Sequence, residues 1–167
     1  MNTGSNVALT ALNKAIELEI QGQRFYLEAA ERTTNPKGAE MFRSLAGDEA
    51  IHERILRRQL DALTQGEGWV LPDGVAEVKA DLTTPLFPEN EKEFQKAVQP
   101  DASDLDALLF ALQIENESFD LYRELAQTTD DPNGKHMYEY LANAERGHFE
   151  QLMLNYEHLS TVGSWAE

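Results

Sequence analysis

Glu19 is followed 30 residues later by Glu49 and, three residues beyond that, by His52; 96 residues further along, the same arrangement returns as Glu115, Glu145 and His148. Superposing residues 15–58 on residues 111–154 needs no gap and leaves 14 of 44 positions identical, among them Tyr26 with Tyr122 and Pro36 with Pro132. A repeat of this length with a helical period in each copy describes a duplicated helical hairpin. Two such hairpins must bury their apolar stripes against each other, and a four-helix bundle does so.

Apolar residues recur at helical spacing from about residue 7 to 32, and the run ends at Asn35-Pro36, because proline disfavours helix in the residue before it. The period returns over about 37–64, with Met41, Phe42, Leu45, His52, Ile55 and Leu56 leaning to one side, and stops before Gly66 and Gly68. Residues 104–128 repeat the first helix, Asp130-Asp131-Pro132-Asn133-Gly134 reads as a turn, and 135–159 repeat the second. The hairpins therefore span about 7–64 and 104–160. The crossover, about 65–103, carries Pro72, Pro85, Pro88 and Pro100 and reads as loop with one short helix near Glu89 to Val98. A helix of about 28 residues is about 42 Å long, and a crossover of this length can run back along it, so that helices two and three lie parallel. The expectation is an all-α, single-domain bundle with one long crossover, the topology of ferritin-like folds. Trp69, Val70, Leu71, Leu86, Phe87 and Phe94 are expected to cover a bundle face or, alternatively, to join two subunits; Trp165 caps the bundle or contacts a partner.

Glu19 shares its helix face with Leu12, Ala15, Ile16, Gly22 and Tyr26, and Glu115 with Leu108, Ala111, Leu112, Ser118 and Tyr122. A bare carboxylate amid such a stripe is costly to bury, and two of them facing two ExxH pairs call for a compensating cation. Glu49 and His52 lie three apart on one face between Leu45 and Leu56, and Glu145 and His148 do the same between Leu141 and Leu152. Each ExxH can place its carboxylate between two metals while its imidazole binds one, and Glu19 and Glu115 then complete the shells. Four carboxylates neutralise two divalent ions. Carboxylate and imidazole donors suit two iron or manganese ions, and zinc also binds such sites. The small residues one turn after the lone glutamates, Gly22 and Ser118, allow close helix packing or leave a gap where dioxygen or peroxide could bind. Tyr26 and Tyr122 could hydrogen-bond a ligating carboxylate on another helix, serve as oxidisable neighbours, or be core tyrosines satisfied by any acceptor. His136 and His158 fall outside the repeat logic and read as surface residues.

The formal charge of −16 argues against nucleic acid or an anionic membrane as partner. With no cysteine, disulfides, iron–sulfur clusters and thiolate zinc sites are excluded. No apolar run approaches a membrane span and residues 1–7 lack a secretory pattern, so a cytoplasmic protein is expected.

The segment from Glu19 to Tyr26, the Glu49/His52 pair, the segment from Glu115 to Tyr122 and the Glu145/His148 pair together resemble the rubrerythrin-like branch of the ferritin-like superfamily, over roughly residues 7–160. The resemblance implies a four-helix bundle whose di-iron centre reacts with hydrogen peroxide or dioxygen in defence against oxidative stress, and a homodimer. Two departures matter. Rubrerythrins with a rubredoxin iron feed electrons through cysteine-ligated metal, so a chain without cysteine needs a separate donor, such as a rubredoxin-type protein. Such relatives also place a further carboxylate ligand where this chain has Ser118, which puts in question a ligand shift depending on it and a strong preference for peroxide. Iron(II) oxidation for iron handling and a purely structural metal role are the competing readings.

Overall fold

Each hairpin turns at a capping side chain followed by proline. The Asn35 side chain accepts hydrogen bonds from the backbone N–H groups of Lys37 (2.9 Å) and Gly38 (3.3 Å), and its counterpart Asp131 accepts from Asn133 (2.9 Å). Pro36 and Pro132 then occupy the first helical position, where a missing N–H removes no intrahelical bond and the fixed φ suits the helix. In the third helix Ser103 accepts from the Asp106 N–H (3.1 Å), and Asp104 and Asp106 place negative charge in the first turn, opposite the helix dipole.

The computed structural model describes residues 3–87 and 103–166. They form α1 (Thr3–Arg32), α2 (Pro36–Thr64), α3 (Asp104–Thr128) and α4 (Pro132–Val162), and no strand occurs among the described residues. The protein is an all-α four-helix bundle, as the repeat predicts. Two helix starts differ from expectation, and α4 also runs on to Val162 rather than ending near residue 159. Helix α1 begins at Thr3 rather than near residue 7. Helix α4 begins at Pro132, so the last three residues of the predicted turn are its first turn; Asp131 caps the backbone groups that a turn would have left to solvent. The short helix expected at Glu89 to Val98 lies outside the described residues, as does Phe94.

Within each hairpin the helices pack closely, α1 on α2 and α3 on α4, and α1 also packs on α3. Tyr26 bonds Glu115, while Tyr122, seven residues further along α3, bonds Glu19, seven residues further back on α1. Helices α1 and α3 are therefore antiparallel, and the Thr33 hydroxyl beyond α1 accordingly meets Asp104 at the start of α3 (3.2 Å). Asp48 with His148 and Met41 with Asn155 give α2 and α4 the same antiparallel relation. Helices α2 and α3 thus run parallel, as the length of the crossover allows. Leu12, Leu45, Leu56, Leu108, Leu112, Leu141 and Leu152 fill the interior, each contributing about 1.5–3 kcal/mol when fully buried.

The duplication reaches further than residue 58. Trp69 and Trp165 are also 96 apart, and each packs on the start of the other hairpin's second helix. Trp69 meets Tyr138 edge to face at 6.1 Å and lies over Gly134; Trp165 meets Phe42 at 5.9 Å and lies over Gly38. The peptide after each indole is held by a buried amide in the equivalent place: Val70 N–H donates to Gln59 Oε1 (3.1 Å) and Ala166 N–H to Asn155 Oδ1 (3.3 Å). Trp165 therefore caps the bundle. Leu86 is buried, Phe87 packs on Phe149 at 5.0 Å, and Arg146 donates to the carbonyls of Asp81 (3.0 Å) and Thr84 while lying 4.8 Å above the Phe119 ring. Of the crossover residues expected to cover a bundle face, Trp69, Leu86 and Phe87 do so; Leu71 stays 47% exposed.

Candidate metal centre

All six metal-ligating candidates converge at mid-bundle. Glu19, Glu115 and Glu145 are fully buried, and Glu49, His52 and His148 nearly so. They fall into two sets whose potential ligand atoms lie within 4.8 Å of one another: Glu19, Glu49, His52 and Glu145 in one, Glu49, Glu115, Glu145 and His148 in the other. The ExxH glutamates, Glu49 and Glu145, belong to both. Glu19 and Glu115 each belong to one, at opposite ends.

Both imidazoles turn Nδ1 inward. His52 Nδ1 lies 3.0 Å from Glu145 and 3.6 Å from Glu19 and Glu49; His148 Nδ1 lies 3.2 Å from Glu49 and Glu145 and 3.5 Å from Glu115. The two rings are nearly parallel, 5.6 Å apart. On its outer side His148 Nε2 meets Asp48 at 3.1 Å, which favours the tautomer that leaves Nδ1 free to bind. Asp48 was not among the sequence candidates. Its position in the second copy is Ala144, so the repeat did not mark it.

Tyr26 and Tyr122 are fully buried, and each donates its hydroxyl to the lone glutamate on the other hairpin, Glu115 and Glu19 respectively. Of the roles weighed for them, hydrogen bonding to a candidate ligand is the one seen. Charge-assisted bonds of this kind contribute roughly 1.5–3 kcal/mol each. Gly22 faces Glu49: a methyl group built there would stand 3.5 Å from Glu49 Cγ, an ordinary contact. Close packing therefore does not demand glycine, which leaves a methyl-sized space against a shared carboxylate. His136 and His158 lie away from the centre, half-buried rather than fully exposed; His158 Nδ1 meets the Ser164 carbonyl at 2.7 Å.

Burial opposes every charge in this cluster, and the competition ends differently for different members. Burial pushes Glu49 well above the carboxylate range, and the negative fields of Glu145, Glu115 and Glu19 push it the same way. Burial, then Glu115 and Glu19, raises Glu145 to about 8. Glu19 is also desolvated, but Glu49, His52 and Tyr122 favour its anion and hold it low; Glu145, His148 and Tyr26 do this for Glu115. Burial disfavours charge on the imidazoles too, yet His52 is pushed well up by Glu145, Glu19 and Glu49, and His148 by Asp48, Glu115, Glu145 and Glu49. Protons thus stand where cations would relieve the same repulsion. Glu19 Oε2 and Glu115 Oε2 are buried without a hydrogen-bond partner, an arrangement that costs several kcal/mol for a charged oxygen unless a cation meets it. The donor set fits two divalent ions.

Comparison with known proteins agrees with this geometry. The family model described as rubrerythrin matches residues 10–154. A solved structure of a hypothetical protein from Pyrococcus furiosus shares 27% identity, with 93% of this chain and 91% of that chain covered and a TM-score of 0.68. No curated protein matches the chain. With a duplicated hairpin, two carboxylate–imidazole sets in its core and a family match over most of its length, the chain belongs to the rubrerythrin family.

Proposed function

We propose that the chain is a di-iron oxidoreductase that reduces hydrogen peroxide, with dioxygen as the competing oxidant, in defence against oxidative stress. The observation that carries this reading is the pair of ligand sets sharing Glu49 and Glu145. In it, Glu19 and His52 would hold one ion and Glu115 and His148 the other, with Glu49 and Glu145, common to both sets, available to each. Oxygen and imidazole donors in this number suit iron and admit manganese, whereas zinc commonly settles for four ligands. Two bound iron(II) ions supply the two electrons that, with two protons, convert one hydrogen peroxide to two waters.

The chain's own part is positioning. Asp48 fixes the His148 ring from outside, and Tyr26 and Tyr122 hold Glu115 and Glu19 against rotation. The apolar shell of Leu12, Leu45, Leu56, Leu108, Leu112, Leu141 and Leu152 keeps water away and strengthens every electrostatic contact inside. The methyl-sized space at Gly22 is where a small oxidant would approach Glu49. Electrons return from a separate donor, of rubredoxin type by family resemblance, because the chain has no cysteine.

One observation favours a second reading, oxidation and transfer of iron(II). Buried Ser118 stands where rubrerythrins with the longer ligand set carry a further carboxylate. Stopped-flow mixing of the iron(II)-loaded protein with peroxide, and separately with dioxygen, tests both. The peroxidase reading expects faster oxidation by peroxide and two iron(II) ions consumed per peroxide. Faster oxidation by dioxygen, with more iron oxidised than the centre holds, would replace it by iron handling; no oxidation at all would leave the metals a structural role.

A further inference from the structure

Two stacks of aromatic rings lead from the metal centre to the ends of the bundle, and they are copies of each other 96 residues apart. In one, Tyr26 lies 6.1 Å from Phe42 and Phe42 lies 5.9 Å from Trp165. In the other, Tyr122 lies 6.2 Å from Tyr138 and Tyr138 lies 6.1 Å from Trp69. The first tyrosine of each donates its hydroxyl to a glutamate of the centre, Glu115 or Glu19. The middle ring is where they differ. Tyrosine and tryptophan lose an electron far more readily than phenylalanine, so only Tyr122–Tyr138–Trp69 is an unbroken series of oxidisable rings.

Two further observations mark this stack. The Tyr138 hydroxyl is buried with no hydrogen-bond partner, although a phenylalanine serves in the same place in the other copy. An orphaned hydroxyl of this kind is destabilising, so packing does not account for a tyrosine there. The outermost ring is also within reach of solutes: Trp69 is half-buried in an open groove that it shares with Val7, Ala8 and Tyr138, whereas Trp165 is buried.

We propose that Trp69, Tyr138 and Tyr122 form a one-electron path between the surface and the Glu19 side of the metal centre. The path serves when peroxide meets a centre able to supply only one of the two electrons that peroxide requires. The second electron leaves the Tyr122 ring, and its phenolic proton passes to Glu19 Oε1 along the existing hydrogen bond. Tyr138 then refills Tyr122 as the proton returns from Glu19 Oε1; with no acceptor at its hydroxyl, Tyr138 keeps its own proton and passes on the charge at once, refilled by Trp69. An external one-electron reductant of the ascorbate or thiol class refills Trp69. In sum, peroxide takes one electron from the centre and one from the external reductant, takes up two protons and becomes two waters. The source of the oxidising equivalent rests on the peroxide-reducing reading; the path itself does not.

Flash photolysis of the full chain, metal-free and zinc-loaded, with photogenerated tris(bipyridine)ruthenium(III) as the solution oxidant, tests it without iron or peroxide. The two half-buried tyrosines outside the stacks are removed from the background by Tyr140→Phe and Tyr156→Phe. Transient absorption and electron paramagnetic resonance are expected to show a tryptophanyl radical giving way to a tyrosyl radical on Tyr122; in Tyr122→Phe no tyrosyl radical is expected to accumulate, because the remaining Tyr138 hydroxyl has no acceptor for its proton. In Tyr138→Phe, which removes only a hydroxyl without a partner, the tryptophanyl radical persists and the Tyr122 signal is lost. A Tyr122 radical that forms as fast in Tyr138→Phe as in the parent, or a parent with no Tyr122 radical, overturns the proposal. Because neither iron nor peroxide is present, failure of the peroxidase reading leaves this result unchanged.

Discussion

Alanine in place of glycine changes sign with position in this bundle, and the indoles decide where. A methyl at Gly134 would lie 2.5 Å from Trp69 Cε3 and 2.8 Å from Thr129 Cγ2; at Gly38 it would lie 2.7 Å from Trp165 Cζ2. Carbon atoms pack best at about 3.5–4 Å, so the rigid indole must retreat by about 1 Å in either case. Overpacking of that order costs about 1–3 kcal/mol, offset in part by the roughly 0.5–1 kcal/mol by which alanine is preferred in a helix. The net expectation is destabilisation of about 0.5–2 kcal/mol, larger at Gly134, where Thr129 blocks the same methyl from a second side. Gly47 and Gly147 are exposed in α2 and α4, with no heavy atom within 4 Å of the added carbon. There the propensity term acts alone, and alanine stabilises by about 0.5–1 kcal/mol. Thermal melts of the four single variants check this, since 1 kcal/mol moves Tm by about 2–4 °C in a chain of this size. Tryptophan fluorescence reads the two indoles directly and should shift to the red only in Gly38→Ala and Gly134→Ala. If Gly134→Ala raised Tm as Gly147→Ala does, the indole would not be seated on that helix start and the account of how the hairpins close on each other would fail.

The metal-free chain should become less stable as pH rises, because Glu145 keeps its proton to about 8 in the folded state but releases it near 4.5 when unfolded, and His52 and His148 keep theirs far above 6.5. The folded state then binds more protons than the unfolded one across pH 4.5–8, so stability is lost through that window. Metal ions must displace those protons, so the loaded chain should show the opposite trend, with tighter binding at higher pH and proton release on loading; urea melts and pH-stat titration of both forms check the pair, and parallel trends would refute it. Glu145→Ala removes a carboxylate common to both ligand sets and should cost both ions, whereas Glu19→Ala should leave one, held by Glu49, Glu115, Glu145 and His148. Metal content after equilibrium dialysis distinguishes these outcomes, and equal losses from the two variants would remove Glu145 from its joining position.

Much of this site was legible in the repeat for a physical reason. A carboxylate in the middle of an apolar stripe conflicts with its surroundings, and Glu19 and Glu115 state that conflict twice at equal spacing. Asp48 was hidden because it breaks the symmetry that exposed the others. The roles of Trp69 and Trp165 were hidden because helical periodicity ends before them, and only the 96-residue offset connects the two. The ring stacks could not be read from periodicity, since in each the outer tryptophan comes from the segment that follows the other hairpin. The start of α4 was misplaced because Asp-Pro-Asn-Gly carries both turn and helix-entry chemistry, and the Asp131 cap resolves it in favour of the helix.

Joining the two hairpins in one chain has a consequence beyond holding them together. Two identical hairpins paired about a twofold axis would have to present every residue twice, so any side chain helpful at one metal position would be imposed on the other. Covalent linkage lifts that requirement. Asp48 against Ala144, Gly22 against Ser118 and Tyr138 against Phe42 are three places where the halves have parted company. All three lie beside the centre or along a stack leading from it, while the six candidate ligands remain matched. The two ligand sets can thereby be given different neighbours, and a symmetric scaffold acquires a direction: one side from which an imidazole is steered and one side on which the proposed path brings electrons in.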